Sequence, residues 1–196
     1  MIIILRRINI SQDRMMKMTI DKEQPTLKTP LKKSDLKDLK AGDLIYLSGD
    51  ILGARDMAHK RLIGELRKGN KLPVDIKDNI IFYVGPSPTP PGKTSGSIGP
   101  TTSSRMDAFT GPLLQEGLLA TIGKGERTEE LKNSLVKHGA VYFITPGGVA
   151  AYLADRVENI KKIAYKELGP EAIFSIRVRD LPLFVAYDAR GGDIFR

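Results

Sequence analysis

Residues 80–107 read IIFYVGPSPTPPGKTSGSIGPTTSSRMD, and this passage decides how the rest of the chain is understood. Ile80 to Val84 is five apolar residues, rich in β-branched and aromatic types, and stops at Gly85; it reads as a buried strand. The adjoining stretch, Gly85 to Asp107, has four glycines, five prolines, a crowd of serines and threonines, and only Lys93, Arg105 and Asp107 for charge. Ile98 and Met106 are its large apolar side chains, too few to order it by burial. Its patterning is nonetheless too regular for a spacer. It reads as a rigid, polar, anion-facing loop set at the carboxyl end of a strand.

Working outward, the same unit recurs: an apolar strand, a glycine turn, then a helix or polar loop. Leu44 to Leu47 is a strand ending at Ser48-Gly49, followed by a helix over about Ala54 to Lys68 with Ala58, Leu62 and Leu66 at i, i+4 and i+8. Asp56 and Lys60 are spaced as an i, i+4 pair on it. Leu118 to Ile122 is a strand closing on Gly123-Lys124-Gly125, and Thr128-Glu129-Glu130 caps a helix through His138. Ala140 to Thr145 is a strand, Pro146-Gly147-Gly148 turns it, and a helix is expected from Val149 to about Glu167. Met106 to Glu116 reads as one or two helical turns interrupted at Gly111-Pro112. Ala172 to Val178 and Leu183 to Tyr187 read as two last strands, broken by Asp180-Leu181-Pro182. The pattern predicts an α/β domain with polar groups at strand carboxyl ends, where such folds place ligands, and some antiparallel pairing near Pro182.

Composition narrows the chemistry. At 196 residues with 41% hydrophobic and 28% charged residues, the chain is an ordinary soluble domain. Cysteine is absent, so the chain itself holds no disulfide, thiolate nucleophile or cysteine-ligated cluster. Two histidines, His59 and His138, are few for a zinc site. Of the net charge of +8, residues 1–40 carry 10 Lys+Arg against 5 Asp+Glu, leaving 21 against 18 beyond them, or +3. That uneven spread and the lack of Trp argue against nucleic acid. MIIIL before Arg6-Arg7 reverses the order of a signal peptide, which predicts a cytoplasmic protein. Residues 1–24 show no clear period and are expected to be an N-terminal extension that packs little, with the domain proper at 25–196.

Gly92-Lys93-Thr94 imitates a phosphate-binding loop, but the position for its first glycine is Ser87, and the surrounding prolines remove backbone donors. Gly99-Pro100-Thr101-Thr102-Ser103-Ser104-Arg105 is the more telling run. Four hydroxyls exceed what one helix cap needs, and Arg105 offers a planar fork that matches a carboxylate. Arg55 opens a helix, an unfavourable place for a cation unless an anion is near. Lys124 stands between two glycines with its ammonium unobstructed. These three cations at strand ends suit a small dianion. His59, one turn after Arg55, reads first as a hydrogen-bonded structural histidine, and His138 as a favourable partner for a helix C-terminus.

YLSGDILGARDMAHKRL, FYVGPSPTPPGKTSGSIGPTTSSRMD, GLLATIGKG and GAVYFITPGGVAA together resemble the β subunit of class I fumarate hydratase, and the related L(+)-tartrate dehydratase β subunit, over residues 27–190. The resemblance implies a swivelling three-layer β/β/α fold with a mixed sheet, and a reversible hydro-lyase acting on fumarate or, alternatively, on tartrate. It implies a [4Fe-4S] cluster carried by a partner α subunit, none bound by this chain, and a hetero-oligomer such as a dimer of heterodimers. Carried over, Arg55, Arg105 and Lys124 are the carboxylate-binding cations. Thr101 is the hydroxyl for proton transfer at carbon, as the base itself or as a positioning group. His59, Thr102 and Asp107 are expected in supporting roles, Asp107 by orienting Arg105. A non-catalytic small-anion-binding domain is the reading from another class.

Overall fold

The computed structural model describes residues 24–145 and 150–196. The expected N-terminal extension and the Pro146-Gly147-Gly148 turn therefore lie outside the described residues, apart from Gln24.

Seven strands form one mixed sheet. In chain order these are β1 (Thr26–Lys28), β2 (Leu44–Gly53), β3 (Ile80–Phe82), β4 (Ala120–Gly123), β5 (Val141–Ile144), β6 (Val157–Ala164) and β7 (Ile173–Tyr187). The helices are α1 (Lys33–Leu36), α2 (Asp56–Arg67), α3 (Asp107–Gln115), α4 (Glu129–His138) and α5 (Ala150–Ala154), with a 3-10 turn over Ser103–Met106 just before α3. Strands β1 to β5 pair in parallel, each with the next. The long β7 then runs antiparallel to β5, to β6 and to β2, so it is bonded to both sides of the parallel run.

Alternation along the short central strands sorts two cores. Ile80, Phe82, Ile122, Val141 and Phe143 face one apolar layer with Ile45, Phe174, Ile176 and Val185 of the outer strands. Ile81, Tyr83 and Tyr142 face the other, against Ala58, Leu62, Leu113, Leu114, Leu131 and Leu135 of the helices. The result is the expected α/β arrangement in three layers, β on β on α, with the parallel strands in the middle and buried on both faces. Capping obeys the sequence: Thr128 Oγ1 accepts the Leu131 N–H at the start of α4, and Gly139 ends it at φ 65°.

Four expectations need correction. β2 does not stop at Ser48-Gly49 but continues to Gly53, and β7 is one strand of 15 residues instead of two. Both errors have one cause. Leu47 pairs with Leu181 and Gly49 with Val178, so Ser48 faces Arg179 and Asp180 together in a bulge. Asp180 takes φ 47° there, and its N–H donates to Ser48 Oγ at 2.9 Å. Turn-like residues mark a bulge inside a paired strand, and Pro182 sits in the ladder opposite Tyr46. Residues 157–164, expected as helix, are β6, because the exposed edge of β7 offers them a backbone ladder from Val157 to Ala164. Finally, α3 runs unbroken through Pro112, the sixth of its nine residues, where the ring removes one backbone donor and the packing of Leu113 and Leu114 on the helical side of the sheet keeps the helix in place.

Candidate active site

The polar loop leaves and returns at the end of β3. Tyr83 donates its N–H to the Ile122 carbonyl on β4, and its own carbonyl accepts the Thr101 N–H, each at 2.8 Å. Val84 bridges to Pro100. Further out, Ser87 and Ser97 tie the two legs: the Ser87 N–H reaches the Ser97 carbonyl at 3.1 Å, and the Ser97 N–H reaches Ser87 Oγ at 2.8 Å. Gly96 permits this, since a Cβ there would run into the Ser87 backbone. At the tip the Lys93 N–H closes a turn on the Pro90 carbonyl at 3.2 Å, with Gly92 at φ 74°. Gly92-Lys93-Thr94 is thus an exposed turn rather than a phosphate cradle.

The returning leg delivers Thr101 and Arg105 to a common point. Arg105 Nη2 donates to Thr101 Oγ1 at 2.9 Å, and the same guanidinium pairs with Asp56, Nε to Oδ1 at 2.9 Å and Nη2 to Oδ2 at 3.0 Å. That is the two-bond fork expected of arginine on a carboxylate. Asp56 is the first residue of α2, and Arg55 before it caps the helix in an extended conformation. Arg55 Nε reaches the same Asp56 oxygen at 3.1 Å, and Arg55 Nη2 lies 3.6 Å from Glu171 Oε1. Glu171 also accepts the Met57 N–H at 2.8 Å, so carboxylates of the chain itself answer the cation at this helix start. Gly85 makes the room: a Cβ would stand 2.9 Å from Arg55 Cδ.

Burial pushes the Asp56 carboxyl up, but its own backbone N–H and the Arg55 and Arg105 guanidiniums outweigh that and hold it below the ordinary range. One carboxylate therefore stays ionised between two guanidiniums.

Lys124 enters from the end of β4. Its backbone pairs with Thr102 in a parallel bridge, and Ser103 grips it twice, N–H to the Lys124 carbonyl at 3.0 Å and Oγ accepting the Lys124 N–H at 2.9 Å. The lysine side chain is exposed, and among the described residues no carboxylate pairs with it. The hydroxyl run thus divides its labour: Thr101 meets Arg105, Thr102 lies exposed beside Lys124, and Ser103 is buried beneath it.

The remaining expected residues fall elsewhere. Asp107 does not orient Arg105. It pairs with the buried Arg127, Nε to Oδ1 at 2.5 Å, and caps α4 by accepting the Thr128 N–H at 2.7 Å. Arg127 also reaches the Tyr83 hydroxyl, Thr110 and Thr121, and lies over the rings of Tyr83 and Tyr142. His59 is fully buried on α2, its Nδ1 2.9 Å from the Arg55 carbonyl and its ring edge-on to Tyr83. Burial pushes its pKa down to about 4, partly offset by that hydrogen bond and reinforced by the charge of Arg127. It is a neutral structural histidine holding the Arg55 backbone. Glu171 and Arg127 were not singled out in the sequence, and Asp56 stood there only as a helical partner for Lys60. Asp56 had a visible signal, its place between Arg55 and a helix; the other two partners are set by chain segments far away in sequence.

Two guanidiniums, an ammonium and a hydroxyl thus stand at the strand ends of a mixed three-layer domain, an arrangement whose charge suits a small anion. Comparison with known proteins narrows this. The Fumarase C-terminus family matches residues 6–196, and the chain belongs to that family. It is 41% identical over 154 residues to the aerobic class I fumarate hydratase of Escherichia coli K12, covering 78% of this chain and 28% of that protein. It is 38% identical over 174 residues to fumarate hydratase 2 of Leishmania major, covering 86% and 30%. With the L(+)-tartrate dehydratase subunit beta of Escherichia coli K12 it shares 36% over 173 residues, 86% of this chain and 85% of that subunit. The chain thus spans under a third of the fumarate hydratases it matches and nearly all of the tartrate dehydratase subunit. Among the described residues no group of His, Cys, Asp or Glu could hold a metal ion, and no helix is long and apolar enough to cross a membrane.

Proposed function

We propose that this chain is the β part of a hydro-lyase that adds water reversibly across fumarate to give malate. The observation that carries the reading is the linked set Thr101–Arg105–Asp56–Arg55, with Lys124 alongside. Arg55, Arg105 and Lys124 bind the two carboxylates of the substrate. Proton removal beside a carboxylate builds negative charge on it, and cations fixed by Asp56 and Glu171 stabilise that charge without reorganising. Thr101 holds or passes the proton at carbon: its Oγ1 already accepts from the Arg105 guanidinium, which favours the oxygen that has given up its own proton.

The family resemblance points to a [4Fe-4S] cluster, which when bound supplies a Lewis acid for the substrate hydroxyl. This chain's residues do not fit it as ligands, since they offer cations and hydroxyls and no thiolate. In this reading a cysteine-bearing partner carries the cluster, as the name of the related tartrate dehydratase subunit beta suggests, and the full site belongs to a hetero-oligomer in the cytoplasm.

L(+)-tartrate is the second substrate to consider, because the match to a tartrate dehydratase β subunit covers 86% of this chain and 85% of that subunit. Anaerobic assembly with a cluster-loaded α partner, assayed with fumarate and with L-tartrate, tests the reading. Turnover of fumarate is expected, and of tartrate if the second reading holds. Failure on both by a cluster-loaded assembly leaves only anion binding.

A further inference from the structure

Lys124 raises a problem of order. It is flanked by Gly123 and Gly125, the latter at φ 81° with nothing near its Cβ position, so its neighbours contribute no side-chain packing to fix the turn. A cation meant to meet a carboxylate at one point needs another source of rigidity.

Beneath the turn Ser103 and Tyr142 supply it. Ser103 Oγ accepts the Lys124 N–H at 2.9 Å, and Tyr142 Oη lies 2.9 Å from both Ser103 Oγ and the Gly125 carbonyl oxygen. Proton count sets the directions. A carbonyl only accepts, so the single Tyr142 proton goes to Gly125, and the Ser103 proton goes to Tyr142 Oη. The chain therefore runs Lys124 N–H to Ser103 to Tyr142 to the Gly125 carbonyl, closing a ring around the Lys124–Gly125 peptide. The Ser103 N–H on the Lys124 carbonyl adds a further tie. Both side chains are buried, and the Arg127 guanidinium stands 4.9 Å from the centre of the Tyr142 ring. Gly123 is part of the device, because a Cβ there would overlap Ser103 Oγ.

We propose that Ser103 and Tyr142 are positioning residues for Lys124, a hydroxyl clamp that fixes the substrate-binding ammonium through its own backbone. The inference rests on the functional reading for what Lys124 binds, but the clamp itself is a matter of hydrogen bonds.

Two measurements on the assembled enzyme separate these. In Ser103→Ala, amide hydrogen exchange at Lys124 rises about tenfold, the scale of one lost hydrogen bond, while amides in β3 keep their protection; an unchanged Lys124 amide overturns the clamp. In a double-mutant cycle with fumarate, Ser103→Ala lowers kcat/KM about tenfold when Lys124 is present and less than twofold in a Lys124→Met background. Tyr142→Phe, which keeps the ring in place, repeats the pattern. Equal losses in both backgrounds would mean general damage to the fold and overturn the positioning role. An assembled wild type inactive on both fumarate and L-tartrate removes the functional reading, and the exchange measurement still decides the clamp.

Discussion

At Asp56 one carboxylate serves two guanidiniums, and its removal isolates the effect of orientation from that of charge on the substrate. Asp56→Asn keeps the shape but gives up the ionised acceptor that both Arg55 and Arg105 use. Hydrogen bonds to charged groups are worth roughly 1.5–3 kcal/mol, so kcat/KM is expected to fall about tenfold to a hundredfold in steady-state assays of the assembled enzyme. Asp107 answers to a different measurement. Asp107→Asn strands Arg127, whose side chain is 0% exposed, and a buried charge left without its partner costs about 3 kcal/mol. For a chain of this size that is a fall in Tm of about 10 °C by calorimetry. Arg55, Thr101 and Arg105 were legible as residue types because cations and hydroxyls beside glycine-rich strand ends have few structural uses. Their partners were not. The spacing on α2 offered Lys60 to Asp56, and closeness in sequence offered Arg105 to Asp107. The fold instead supplied Arg105, 49 residues on, to Asp56 and Arg127 to Asp107.

Helix α2 carries a pH dependence through His59. Its folded pKa, pushed down to about 4, lies below the unfolded value of about 6.5. Between those values the unfolded chain binds the extra proton, so stability is complete above pH 6.5 and falls as the pH drops toward 4, by about 3 kcal/mol in all. Urea midpoints across that window should show the loss in the wild type and not in His59→Gln. The carboxyls of Asp50, Asp56 and Asp188, all held low, act in a separate window: their contribution is lost only below their unfolded value of 3.8. Elements whose fate is local were readable at this scale. The apolar run of β3 and the Thr128-capped α4 formed where expected. Elements decided by a neighbour were not: VENIKKIA became β6 because β7 stands beside it, and Asp180-Leu181-Pro182 became a bulge because β2 pairs on both sides of it. Asp180→Val, forcing a β-branched residue to φ 47°, should cost about 1–2 kcal/mol, against little for Asp180→Gly.

For the molecule as a whole, the parallel strands were readable from the recurrence of strand, glycine and helix, and the antiparallel pairing near Pro182 was expected and formed, whereas the closure of β7 onto both β2 and β5 rests on distant pairings. In the proposed function the chain is half of a site, since its sequence offers cations and hydroxyls and no cysteine. Alone it should leave fumarate unchanged at any concentration; assembled anaerobically with its cluster-bearing partner it should hydrate it. Within that assembly, kcat/KM for fumarate compared between wild type and Arg105→Lys is the most direct probe. One ammonium cannot reproduce a planar fork that reaches Asp56 and Thr101 together. A loss of about a hundredfold, the upper range for charged hydrogen bonds, is the predicted result, and a near-normal value would take Arg105 out of the substrate site and contradict the assignment.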